Sequence, residues 1–434
     1  MFARRLGPMS VSKGAFENFA VLRNRDFRLL FGGQVVSVFG DRMVSVALSF
    51  AVLGIGGSAS DVGFVLAAYV VALVGGVLVG GVVADRTSPR RVMVASDLLR
   101  LASQATVATL LITGAAHIWM LAVLAGVAGV GSGFFNPAST GLLPAIVPAA
   151  ELQPANALRY SAMSVGQILG PLAAGLLVAA AGAGWTFAAD AATFAVSAAC
   201  LMRLRPPARA PAKASTFLTD LREGWAAFAS RRWIWTVVSY FAISNIVWGA
   251  WLVLGPVIAF HRLGGAAAWG TVLAGAGVGT LIGSLLATQV KPRRPLVFVA
   301  LADGLIALPL ASLAAAASVP LLFAAALLSG AGMTLGLTVW ESTLQHHVPG
   351  ESLSRVSSYD WFGSLVFAPV GLAIWAPIAA LTDSSEALWG AFGIAVAIVF
   401  ALLAVPDIRH LCVNPGHERG GGGSSEPPLS TAPC

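Results

Sequence analysis

Residues Gly80 to Arg91 set one acid and three arginines in a tight turn between two long apolar runs. The preceding run, Val62 to Ala84, carries no charge, and at 1.5 Å per residue it is long enough to cross a hydrocarbon core of about 30 Å. Another run follows at once from Val92. A turn placed this way belongs at a membrane surface. Composition agrees: 57% of residues are hydrophobic, 10% are charged and the mean hydropathy is +0.82, whereas about a quarter of a soluble domain is charged.

The 434 residues leave room for about twelve spans of roughly 20 residues each. They are predicted near 27–53, 62–84, 92–113, 118–138, 157–181, 185–204, 233–259, 268–290, 295–316, 320–341, 356–381 and 386–405. No removable signal peptide is expected, because the first span serves as the targeting signal. Cys200, Cys412 and Cys434 show neither metal spacing nor a disulfide framework.

Cytoplasmic loops accumulate Lys and Arg, so their positions orient the chain. Of 26 such residues, 23 fall on one side of the predicted spans, Arg262 alone on the other, and Arg42 and Arg100 inside spans. Arg159 is counted with the first set, after span 4. Both termini are therefore expected in the cytoplasm. The net charge of +7 follows from topology and needs no nucleic-acid partner.

The chain divides into a cytoplasmic segment 1–26, a six-helix bundle 27–204, a linker 205–232, a second bundle 233–405 and a disordered tail 406–434. Within the linker, Phe217, Leu221, Trp225 and Phe228 recur at helical spacing and predict an interfacial helix. The bundles resemble each other. At an offset of 201, Gly129, Gly131, Leu143, Val147, Pro148 and Leu152 match Gly330, Gly332, Leu344, Val348, Pro349 and Leu353; at 206, Asp97 matches Asp303. The predicted fold is thus all-α, with twelve transmembrane helices in two pseudo-symmetric six-helix bundles. Repeat folds of this kind commonly hold their site where the repeats meet.

At this point the sequence resembles the major facilitator superfamily. Gly81, Asp85, Arg86, Arg90 and Arg91 fit its signature between spans 2 and 3, with Ser88 and Pro89 departing from it. The stretch Phe134-Phe135-Asn136-Pro137-Ala138, Leu142-Leu143-Pro144, Ala155-Asn156-Ala157-Leu158 and Gly170-Pro171 is similar to proton-driven exporters, among them macrolide-efflux and siderophore (enterobactin) exporters. Gly166, Gly170, Pro171 and Gly175 in span 5 resemble the antiporter signature, a seam of small residues along which helices approach closely. The resemblance implies alternating access, outward transport and a cytoplasmic gate in which Asp85 faces the start of span 11 near Ser357 and Ser358.

Charged groups inside spans are costly and point to mechanism. Asp41 lies 14 residues into span 1, about 21 Å from its inner end. Gln34, Ser37, Asp41 and Ser45 fall within about 40° of one helical direction and are expected to line a cavity. Asp41 there could take up a proton as substrate leaves, attract a cationic substrate, or simply pair with Arg42 or Arg100. Asp97 and Arg100, three apart on span 3, could pair on one face; with Asp303 and Asp85 they are assigned to a cytoplasmic gate network. Ser244, Trp248, Trp251 and Gly255 share a face of span 7 with Asn245 beside it, suiting an amphipathic substrate. Asp190, Glu341 and Asp360, near span ends, read as solvated interfacial acids.

The sequence holds no H-E-x-x-H, G-x-S-x-G or phosphate-binding loop. The His346-His347 pair is expected in a cytoplasmic loop with the wrong spacing for a zinc helix. No cofactor or metal and no enzymatic activity are expected. The reading is a monomeric cell-membrane exporter whose partners are the bilayer, protons and a small amphipathic molecule. An importer or facilitator on the same fold is the alternative, and a non-transporting receptor a more distant one.

Overall fold

The computed structural model describes residues 20–148, 151–205, 225, 228–287, 289–348 and 350–411. The N-terminal segment, the C-terminal tail and most of the expected linker helix lie outside the described residues. Every regular element among the described residues is helical. The first half comprises α1 (Arg25–Gly54), α2 (Ala59–Arg86), α3 (Pro89–Ile112), α4 (Ile118–Ile146), α5 (Leu152–Ala181) and α6 (Ala183–Met202). The second comprises α7 (Arg232–Ile258), α8 (Ala266–Ala287), α9 (Pro295–Ala314, through a 3-10 turn Gly304–Ile306), α10 (Val319–His347), α11 (Gly350–Leu365), α12 (Ala368–Leu381) and α13 (Ser384–Ala404), followed by the short α14 (Pro406–His410).

Eleven helical segments among the described residues are long and apolar enough to cross a membrane. The twelfth span is α3. Its 24 residues reach about 36 Å at 1.5 Å each, but Arg90, Arg91, Asp97 and Arg100 lower its hydropathy. Span 11 is built from two helices, α11 and α12, which part before the Pro in the first turn of α12, where that ring disfavours continued helix.

Local chemistry places the ends. Asn24 caps α1 by accepting from the amides of Asp26 and Phe27 at 2.9 and 3.2 Å. Ser58 and Asp61 form a reciprocal capping box on α2. In the charged turn Ser88 is the N-cap of α3 and Pro89 its first residue, where a missing N–H costs nothing. The departure from the family signature is thus a helix start. His346 and His347 lie in the last turn of α10, not in a loop.

Packing repeats between the halves. In the first, α4 lies against α2 and α3, and α6 against α1 and α3; in the second, α10 lies against α8 and α9, and α13 against α7 and α9. The halves meet through α5 on α8 and α2 on α12. They share a core at one end only. There Met43, Val46, Phe50 and Ala174 pack with Trp251, Trp269 and Leu372 in a single cluster. At the opposite end each half keeps its own core, around Phe27, Met93 and Leu142 in the first and Ile234, Trp340 and Val356 in the second. The two halves are therefore closed together at the end where α1 finishes and separate at the end where it begins.

Candidate functional site

Asp41, Asp97 and Arg100 come together inside the first half. Arg100 Nη2 donates to Asp97 Oδ1 at 2.5 Å, and Nη1 donates to Asp41 Oδ2 at 3.3 Å. The guanidinium lies between two rings, 4.5 Å from the centroid of Phe135 and 4.2 Å from that of Phe194, contacts that gain strength when water is excluded. Asp97 has no exposed surface, whereas the Asp41 side chain is 38% exposed. One guanidinium thus joins a sealed carboxylate to an accessible one.

Gln34 and Ser37 share the α1 face with Asp41 but are buried. Gln34 Nε2 donates to Ser139 Oγ at 2.6 Å, while Arg159 donates from Nε to Gln34 Oε1 and from Nη2 to Ser139 Oγ, each at 2.9 Å. Gln34, expected to line a cavity, instead cross-links α1, α4 and α5, and Ser37 turns its hydroxyl back onto the Gln34 carbonyl at 3.3 Å. Arg159, counted after span 4, lies in a helix. Because α5 begins at Leu152, it lies seven residues inside the helix, about 10 Å along its axis.

A cavity of about 230 Å³ lies between the halves, lined by Val70, Leu73 and Val74 of α2, Asn245, Trp248, Gly249 and Leu252 of α7, Leu365 at the end of α11, and Ala368 and Leu372 of α12. Asn245 and Trp248, expected to face a cavity, both line this one. Asn245 also donates to the carbonyls of Phe241 at 3.0 Å and Ser364 at 3.1 Å, satisfying backbone left open where span 11 breaks. Trp248 stacks on Trp251 with ring centroids 5.8 Å apart. Trp251 itself is fully buried against Trp269 and belongs to the core.

The expected gate residues are not assembled into one network among the described residues. Asp303 accepts from Ser244 at 3.3 Å in the second half, apart from the Asp97–Arg100 pair in the first. Arg90 donates from Nε to the Leu201 carbonyl at 2.8 Å and from Nη2 to that of Met202, so it caps the C-terminal end of α6. Arg91 is exposed. The surroundings of Gly81 and the side chains of Asp85, Arg86 and Ser358 lie outside the described ones.

The small-residue seam divides its work. A Cβ on Gly166 would meet Val38 Cγ1 at 3.2 Å and one on Gly170 would collide with Arg42, both on α1. Pro171 and Gly175 face α8 in the other half, where a Cβ on Gly175 would sit 2.5 Å from the Ala266 carbonyl oxygen. The same stripe therefore serves packing within one half and contact between the two.

Two acids expected to be solvated are buried. Asp190 has 0% and Asp360 7% exposure. Asp360 accepts from Trp340 Nε1 at 3.0 Å and, with the exposed Glu341, borders a second cavity of about 220 Å³. No metal-holding cluster of His, Cys, Asp and Glu occurs among the described residues.

A family model described as Major Facilitator Superfamily matches residues 30–364. The chain belongs to that superfamily. It is a multi-pass membrane protein of that superfamily. Among its relatives, the multidrug efflux pump Tap of Mycolicibacterium fortuitum is 33% identical over 172 residues, covering 38% of this chain and 42% of Tap. Macrolide efflux protein A of Streptococcus pyogenes is 21% identical over 243 residues, covering 55% of this chain and 60% of that protein. The matches thus span about half the length of these relatives. Among solved structures, a mutant of the nucleoside transporter NupG superposes with a TM-score of 0.72 at 12% identity, covering 88% of this chain and 99% of that one. A bacterial homolog of the human lysosomal transporter Spinster gives 0.64 at 15%, covering 89% and 95%. At these identities the likeness is one of superfamily fold alone.

Proposed function

We propose that this transporter exports a small amphipathic molecule of the drug, macrolide or siderophore kind by proton antiport, working as a monomer with the two bundles 27–204 and 233–405 rocking about the central cavity. Both termini lie in the cytoplasm in this reading, so the end where the halves separate faces inward. The observation that carries it is the Asp41–Arg100–Asp97 cluster: a single arginine ties a partly exposed carboxylate to a buried one, so a proton arriving at Asp41 changes the charge balance of the bundle interior. Similarity to efflux pumps supports the outward direction. The loop Gly81, Asp85, Arg86, Arg90 and Arg91, with Asp97, Arg100 and Asp303, serves the inner gate. Gly166, Gly170, Pro171 and Gly175 form the seam that seals the outer side.

Purified protein in proteoliposomes with an imposed pH gradient tests this against a panel of lipophilic drugs and siderophores. Movement of at least one compound against its gradient, driven by protons, is expected; no such movement for any compound removes the antiport reading. Asp41→Asn should retain substrate binding and lose proton-driven accumulation, and an unchanged pH dependence in that variant would take Asp41 out of the coupling role. Trp248→Ala should weaken substrate binding about tenfold, or roughly 1.4 kcal/mol, without altering pH dependence, as read by equilibrium binding at two pH values.

A further inference from the structure

Asp190 lies seven residues into α6, about 10 Å from its start, with no exposed surface. Its carboxylate is poorly served. Thr193 Oγ1 is 3.2 Å from Asp190 Oδ1 but only 2.7 Å from the Asp190 carbonyl oxygen, and one hydroxyl hydrogen cannot serve both well. Oδ2 is shielded from solvent and has no hydrogen-bond partner among the described residues.

The surrounding charges leave it without a cation of its own. From α1 it faces Asp41; from α3 it faces Arg100, with the Gln104 side-chain amide within hydrogen-bonding reach. Arg100 is already engaged by Asp97 and Asp41 and held between Phe135 and Phe194. Asp97 and Asp41 therefore hold the one guanidinium that faces Asp190, and the other nearby cation, Arg42, acts on Asp41. An ionised carboxylate buried without a partner is strongly disfavoured. A proton on Asp190 removes that charge and turns one oxygen into a donor, for which the Gln104 carbonyl can serve as acceptor once its amide is suitably turned.

The backbone makes room for this group. A Cβ at Gly40 would collide with Asp190 Oδ1 and Thr193 Oγ1, so the close approach of α1 to α6 at this level depends on glycine. The next residue is Asp41, whose side chain reaches accessible space. A sealed acid and an accessible one thus flank the same α1 backbone.

We propose that Asp190 is an occluded proton-binding site inside the first half, filled from Asp41. The transfer breaks an O–H bond on the Asp41 carboxyl and forms one on the Asp190 carboxylate, leaving Asp41 anionic beside Arg100. This deepens the proton-coupled reading and rests on it for the transport role; the buried proton itself does not.

Infrared difference spectroscopy on purified protein in lipid bilayers, with Asp190→Asn as the reference, reads the proton directly. A protonated-carboxyl C=O band at neutral pH that is lost in Asp190→Asn and shifted in Gly40→Ala is the expected result. Asp190→Asn should also unfold no more easily than the wild type, and in proteoliposomes it should keep substrate counterflow while losing proton-driven accumulation. Absence of the band from the wild type, or full proton-driven accumulation by Asp190→Asn, would overturn the proposal. If the band is present while wild-type protein moves no substrate in response to protons, the buried proton stands and the antiport reading falls.

Discussion

Replacing Arg100 with Gln is expected to destabilise the first half by about 3 to 5 kcal/mol, the usual cost of stripping one partner from a buried ion pair. Asp97 is fully enclosed, and its 2.5 Å bond to Arg100 Nη2 is its one ion pair among the described residues. The variant also leaves the rings of Phe135 and Phe194 without the guanidinium between them. Arg100→Lys should recover little, because a single ammonium cannot present the fork that reaches Asp97 and Asp41 together.

The double variant Asp97→Asn/Arg100→Gln separates this cause from a general loss of packing. With both charges gone the burial penalty goes with them, so the double variant should unfold much closer to the wild type than Arg100→Gln does. Thermal unfolding of the three proteins in one detergent reads the order. If the single and double variants unfold alike, the ion pair is not what stabilises the interior. Transport should fail in both, since Asp41 loses its partner in each.

The same cluster shows how far residue patterns reach. The i, i+3 spacing of Asp97 and Arg100 is a property of one helix, so it could be read without knowing any neighbour. Eleven of the spans are legible for a similar reason: each is a local apolar run long enough for the bilayer, whereas α3 is carried by its length despite its charges. Asp190 was not legible. Its burial depends on where α6 starts and on Gly40 across the helix pair, and a boundary displaced by a few residues turns a buried acid into an interfacial one. Arg159 falls deeper in its helix than expected because α5 starts at Leu152. Asn245 was expected to face a cavity and does, but its bond to the Ser364 carbonyl depends on the break in span 11, for which Pro369 was the available local signal. The separation of Asp303 from Asp97 lies in tertiary arrangement. A repeat places equivalent residues at equivalent depths, but it does not bring them together.

Gly270→Leu should abolish transport while leaving the chain folded and inserted. Residue 270 sits where α8 crosses α5, and an added Cβ would collide with the Pro171 carbonyl oxygen. Backbone cannot turn aside as a flexible side chain can, and Pro171 has no N–H with which to rejoin a rearranged helix. The neighbouring crossing is also close: a Cβ at Gly277 would lie 2.7 Å from the Gln167 carbonyl oxygen. Leucine at 270 therefore holds the halves apart at the end where they now share a core, favouring a conformer in which that end is open. Ala174, with 0% exposure in the shared core, reports the change. With Cys200, Cys412 and Cys434 replaced by Ser, Ala174→Cys should resist alkylation in the closed seam and react readily once Gly270→Leu is added. Gly270→Ala should fall between the two, since its single methyl is the smallest wedge. Normal transport by Gly270→Leu with an unreactive Cys at 174 would mean that the α5–α8 crossing adapts, and the seam would then be packing without a part in alternating access.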